Sequence, residues 1–157
     1  MDRDCRLRSR AELDHILDNH KLWRKKNACS ESKETLCANS ALHDPLRADL
    51  SGARLPLAYL IDADLVDADL SGTDLSGGDL AFANLTGASF DYADLTGASF
   101  DSAKLAGANL SHALLSGADL RYASLISANL QSADLTGANL ENAILTDADL
   151  SLSLIHI

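Results

Sequence analysis

The stretch LTGASFDYADLTGASFD, residues 85–101, carries the block LTGASFD twice, ten residues apart. Extending it in both directions shows that the underlying period is five. From Leu50 to Leu150 every fifth residue is Leu or Phe, nineteen Leu with Phe90 and Phe100, over twenty-one consecutive positions. Call each of these a centre. Two residues before it (position −2), Ala fills nineteen of twenty-one places, with Thr73 and Gly78 the exceptions. The intervening −1 position is Asp nine times, Asn four times and Ser three times, and Gly stands two residues after the centre (+2) in eight units.

A period of five fits neither ordinary element. Five steps of about 100° along an α-helix leave a net rotation of about 140°, which smears the centres around the circumference. A flat strand sends alternate centres to opposite faces. The chain must therefore turn regularly, so that each unit returns the same side chain to one interior. Leu is the bulky inward residue, Ala the small inward neighbour, and Gly, Asn and Asp tolerate the turn.

The recurring A-(D/N)-L-(S/T)-G run resembles the pentapeptide-repeat family over roughly residues 46–150. The resemblance implies an all-β solenoid, a right-handed quadrilateral β-helix in which four pentapeptides make one square coil of twenty residues. About five coils are expected; at an inter-strand spacing of about 4.8 Å the column is roughly 25 Å tall. Leu70, Phe90, Leu110 and Leu130 then form one inward ladder and Phe100 falls on the opposite side, all as core.

The remaining segments are read as ends. Residues 1–26 are expected to carry an N-terminal α-helical cap at about 10–26. Ser9-Arg10-Ala11-Glu12 has the form of a capping box, followed at helical spacing by Leu13, Ile16, Leu17, His20 and Trp23. This leader is similar to that of some bacterial and phage pentapeptide-repeat proteins. Residues 27–45 read as a polar linker. The tail 151–157, SLSLIHI, departs from the motif and is read as irregular: either it is translated sequencing-adapter sequence, which it resembles and which implies that the natural chain continues past residue 150, or it is a genuine short apolar cap.

Charge and composition narrow the function. Residues 1–45 hold nine Lys/Arg against eight Asp/Glu, and residues 46–157 hold four against fifteen, giving the chain its net charge of −10. No window of about 18 apolar residues suggests a membrane span, and the charged N-terminus lacks the apolar region of a secretory signal, which points to the cytoplasm. Cys5, Cys29 and Cys37 are odd in number and irregularly spaced, and with His15, His20 and His43 they match no paired metal-ligand pattern. No phosphate loop is present, and GGDLAF at 77–82 lacks the nine-residue period of a calcium-binding repeat. No nucleophile, base and orienting group converge in the repeat, so neither catalysis nor a cofactor is expected.

What remains is a non-catalytic scaffold for protein–protein interaction. On the square coil Phe82 and Tyr122 share one corner row two coils apart, and Tyr92 and His112 are neighbours on the opposite row; these are the candidate partner contacts. Asp74 and Asp94 fall one coil apart on one face, with Asp134 two coils further on. The family resemblance supplies a second reading, an acidic DNA mimic that binds DNA gyrase and inhibits it or shields it from quinolones, with these carboxylates as the contact row. Direct nucleic-acid binding is not expected. Dimerisation through an end of the column is the remaining expected contact.

Overall fold

The structure, a computed structural model, describes residues 50–155. The expected helix at 10–26, the linker at 27–45, the three cysteines, residues 46–49 and His156 lie outside the described residues.

Each unit turns immediately after its centre. The −2 amide donates to the preceding centre's carbonyl, as from Ala93 to Phe90 (2.9 Å) and from Ala118 to Leu115 (3.0 Å). This is the i to i+3 bond of a β-turn, with +1 and +2 as its inner residues. All twenty-one +2 residues from Gly52 to Leu152 have positive φ, between 54° and 70°; eight are Gly and thirteen are not. Four such turns close one coil. Single-residue parallel bridges then join each −1 residue to its counterpart twenty residues later, seventeen in unbroken register from Arg54–Asp74 to Asp134–Leu154. The column therefore has four walls and four corner rows.

Backbone accounting explains the residue preferences. Centre and +2 amides donate to carbonyls nineteen residues on, as from Leu75 to Asp94 (2.8 Å) and from Gly77 to Thr96 (2.8 Å). The −1 amide donates twenty-one residues back, as from Asp94 to Thr73 (2.8 Å). With the turn bond, these satisfy four of the five amides in a unit. In many units with Asp or Asn at −1 that side chain meets the fifth, at +1: Ser71 N donates to Asp69 Oδ1 (3.0 Å), Thr96 N to Asp94 Oδ1 (3.1 Å) and Gln131 N to Asn129 Oδ1 (3.0 Å). Asp and Asn recur at −1 because their short side chains reach an amide two residues on.

Inside, Leu, Phe and Ala are fully buried from Leu70 to Leu130. Phe90 and Phe100 sit on opposite walls, half a coil apart, and meet edge to face with ring centroids 6.0 Å apart at 89°. Two positions lack the usual −2 Ala for identifiable reasons. Buried Thr73 donates its hydroxyl to the Leu70 carbonyl at 2.7 Å. At Gly78 a Cβ would lie 2.9 Å from the Leu75 carbonyl oxygen, so Ala there would require the turn to shift.

The tail corrects one expectation. Residues 151–155 are not irregular but continue the coil: Leu152 takes the left-handed corner, Leu154 bridges Asp134, and Leu135 N donates to Leu154 O at 2.8 Å. The register demands only a small residue at −2 and an apolar centre. Ser153 meets the first, its hydroxyl donating to the Leu130 carbonyl at 2.7 Å, and Ile155 meets the second. Among the described residues the centres Leu140, Leu145 and Leu150 are only partly buried.

Candidate protein-binding surface

The bridge register defines the four walls by their outward rows. One wall carries Arg54, Asp74, Asp94, Leu114, Asp134 and Leu154; the next carries Tyr59, Asp79, Ser99, Asp119 and Asn139. The third carries Asp64, Asn84, Lys104, Ser124 and Ile144, and the fourth Asp69, Ser89, Asn109, Asn129 and Asp149.

The expected acidic row is thus interrupted. Asp74 and Asp94 are bridged neighbours, but exposed Leu114 stands between Asp94 and Asp134. Each of the three carboxylates also serves its own turn, accepting from the amides of Ser76 (3.2 Å), Thr96 (3.1 Å) and Thr136 (3.0 Å). Their presence therefore has a structural cause independent of any partner.

The expected aromatic contacts all occupy left-handed corners. Phe82 (φ 61°) and Tyr122 (φ 58°) lie on one row with Ser102 between them. Tyr92 and His112, both at φ 58°, lie on the diagonally opposite row. The structure brings these two together: their rings stack at 4.5 Å between centroids, 5° from parallel. The coil rise, about 4.8 Å, sets that separation.

A polar cluster that sequence reasoning missed holds this stack. His112 Nδ1 lies 3.2 Å from Asp91 Oδ1, and the same oxygen accepts the Ser111 hydroxyl at 2.8 Å. The Ser111 hydroxyl, buried under the corner, also lies 2.7 Å from Asn109 Oδ1, and Asn129 Nδ2 donates to that atom from the following coil (3.1 Å). Twenty-residue spacing of Asp91 and Ser111 was the available signal.

A second missed feature is the fork formed by Arg121 on Asp119, with Nε to Oδ1 at 2.8 Å and Nη2 to Oδ2 at 2.7 Å. The Arg121 hydrogen bond holds the Asp119 carboxyl below its ordinary 3.8 against a smaller opposing effect of burial, and Asp119 in turn raises the guanidinium. Asp149 is lowered as well, first by the Ser151 amide. Asp101 precedes Arg121 by one coil and keeps one carboxylate oxygen buried with no hydrogen-bond partner among the described residues. Among those residues no three His, Cys, Asp or Glu side chains group to hold a metal, and no helix is long and apolar enough to cross a membrane.

Four walls, single-residue parallel bridges and an alanine–leucine interior define a square-coiled β-solenoid. A family model described as pentapeptide repeats matches eight copies over residues 47–77, 78–117 and 113–151, and the chain belongs to that family. Its solved members imply the right-handed quadrilateral β-helix for this chain. A pentapeptide-repeat protein, Rfr23 from the cyanobacterium Cyanothece 51142, is 26% identical with a TM-score of 0.66, over 88% of this chain and 99% of that one. The pentapeptide-repeat protein alr5209 from Nostoc is 32% identical over 78% and 96% of the two chains, with a TM-score of 0.43. QnrB1, a plasmid-mediated fluoroquinolone resistance protein, is 20% identical over 68% and 71%, with a TM-score of 0.41. No curated protein sequence matches the chain.

Proposed function

We propose that this chain is a non-catalytic scaffold that presents corner aromatics to a protein partner. The observation that carries the reading is where the rings stand. A left-handed residue other than Gly costs about 1–2 kcal/mol, and bulky residues at positive φ are uncommon. Yet Phe82, Tyr92 and Tyr122 occupy such corners while remaining 56%, 66% and 57% exposed. Burial does not repay the strain. A strained, exposed ring on a rigid hydrogen-bonded column has the character of a contact residue.

The test replaces Phe82, Tyr92, His112 and Tyr122 together by Gly, the residue that eight corners already use. Immobilised wild-type protein is expected to retain a protein from lysate that the fourfold variant releases. Equal retention by both refutes the contact role.

A second reading, an acidic mimic that binds DNA gyrase, is favoured by the Asp74–Asp94 adjacency and the net charge of −10. It predicts altered gyrase supercoiling, with or without quinolone, that is lost on changing Asp74, Asp94 and Asp134 to Asn. Asn keeps the oxygen that caps the turn, so the substitution removes charge without removing the cap. No effect of wild-type protein at micromolar concentration refutes this reading.

A further inference from the structure

The Tyr92–His112 stack has an open end. The rings are parallel and one coil apart, so their stacking axis runs along the column. The second face of Tyr92 therefore looks toward the preceding coil, whose corner residue is Gly72. A Cβ built at Gly72 meets nothing within 4 Å, and the same holds at Gly52 one coil earlier. Among the described residues the corner row thus presents a ring face beneath a gap at Gly72 that no side chain fills, with a second glycine corner at Gly52.

The surroundings of the gap are anionic. Asp69 and Asp74 flank Gly72 along the chain, and Asp91 and Asp94 flank Tyr92. Oδ1 of each is engaged in hydrogen bonds: Asp69 accepts from Ser71, Asp74 from Ser76 and Asp94 from Thr96 within the same turn, and Asp91 accepts from the Ser111 hydroxyl one coil on, with His112 Nδ1 3.2 Å away. The second oxygen of each has no hydrogen bond among the described residues. The coil from Leu60 to Asp79 holds six Asp and no Lys or Arg. Arg54, one coil before Asp74 on the same wall, makes no ion pair among the described residues.

We propose that the gap over Gly72 receives an arginine side chain of a protein partner, which continues the Tyr92–His112 stack as a third planar layer. This deepens the scaffold reading and rests on it. A guanidinium is flat, stacks on aromatic faces and offers a fork of donors to carboxylate oxygens. An ammonium has the charge without the plane. The slot therefore discriminates arginine from lysine, and it supplies recognition from one coil edge without a pocket.

The test titrates the full chain with the blocked peptide acetyl-Gly-Arg-Gly-Arg-Gly-amide and with its Lys counterpart, reading the aromatic NMR signals of Tyr92 and His112. The arginine peptide is expected to shift the Tyr92 ring saturably, and to bind several-fold more tightly than the lysine peptide. Tyr92→Leu should weaken binding about tenfold, within the range of a cation–π contact. Gly72→Asn should abolish the shift by filling the gap; Asn142 already occupies a corner at φ 58°, so this variant keeps a tolerated backbone. Ser102→Gly, on the other corner row, should leave binding unchanged. No Tyr92 shift at millimolar peptide, or equal binding by wild type, Tyr92→Leu and Gly72→Asn, overturns the proposal. If the fourfold glycine variant still loses a lysate partner in that case, the scaffold reading stands and only the arginine slot falls.

Discussion

Replacing Tyr122 by Gly and, separately, by Ala isolates the backbone strain at a corner from the contacts of the ring. Both variants delete the same exposed side chain, so their difference reports the residue type that φ 58° prefers. In ordinary helix or strand, Ala is more stable than Gly by about 0.5–1 kcal/mol, because Gly loses more chain entropy on folding. A left-handed conformation costs an alanine about 1–2 kcal/mol. The two effects oppose, and the second is larger. Tyr122→Gly should therefore exceed Tyr122→Ala in stability by about 0.5–1 kcal/mol, worth a few degrees in Tm. The reverse change, Gly117→Ala at φ 68°, should cost about the same, since a Cβ there meets nothing within 4 Å and only the backbone objects. Urea unfolding followed by far-ultraviolet circular dichroism measures all three. An alanine variant as stable as its glycine counterpart would refute left-handed corners, and with them the strain argument for Phe82, Tyr92 and Tyr122 as contact residues.

Other consequences follow from the same geometry. Phe90→Ala and Phe100→Ala should each cost about 3–5 kcal/mol. The double variant should cost less than the sum by about 0.5–1.5 kcal/mol, the value of an edge-to-face pair, and additivity in a double-mutant cycle would mean that the rings do not meet. Asn109 joins the Ser111 amide, the Ser111 hydroxyl and Asn129, so Asn109→Ala should destabilise by about 1–2 kcal/mol, a loss on the scale of a helix cap, whereas Asn109→Asp should largely retain it. By carbon-detected NMR titration Asp119 should ionise below 3.8 and rise on Arg121→Ala. A carboxyl depressed in the folded state adds stability above its unfolded pKa, and that contribution disappears as pH falls through the folded value. An unmoved Asp119 titration would refute the Arg121 fork.

The period of five was enough to place every centre, because one inward Leu per unit leaves no other way to bury the array. The corner rows followed from the same count, which is why the neighbours Tyr92 and His112 could be named before their rings were seen to stack. The meaning of the −1 carboxylates was not legible. Asp74, Asp94 and Asp134 looked like a charge row because the sequence shows charge directly but not which amide each turn leaves unpaired. The Asp91–Ser111–His112 cluster and the Arg121 fork were hidden for a related reason. Their +1 and +2 residues vary freely between units, so the cluster shows only in the relation between one coil and the next, and the fork only in the turn that brings Arg121 back onto Asp119 two residues before it. The tail misled through its outward residues: Leu152 and Leu154 break the polar pattern, while Ser153 and Ile155 keep the inward one.

Every functional assignment rests on the twenty-residue coil, and pyrene excimer fluorescence tests that coil directly. With Cys5, Cys29 and Cys37 changed to Ser, pyrene is attached at Ser102→Cys with Tyr122→Cys, one coil apart on one corner row. A second protein carries it at Ser102→Cys with His112→Cys, half a coil apart on diagonal corners. Strong intramolecular excimer emission is expected from the first pair and only monomer emission from the second. Excimer from the second pair, or none from the first, would contradict the square coil and every contact row drawn from it.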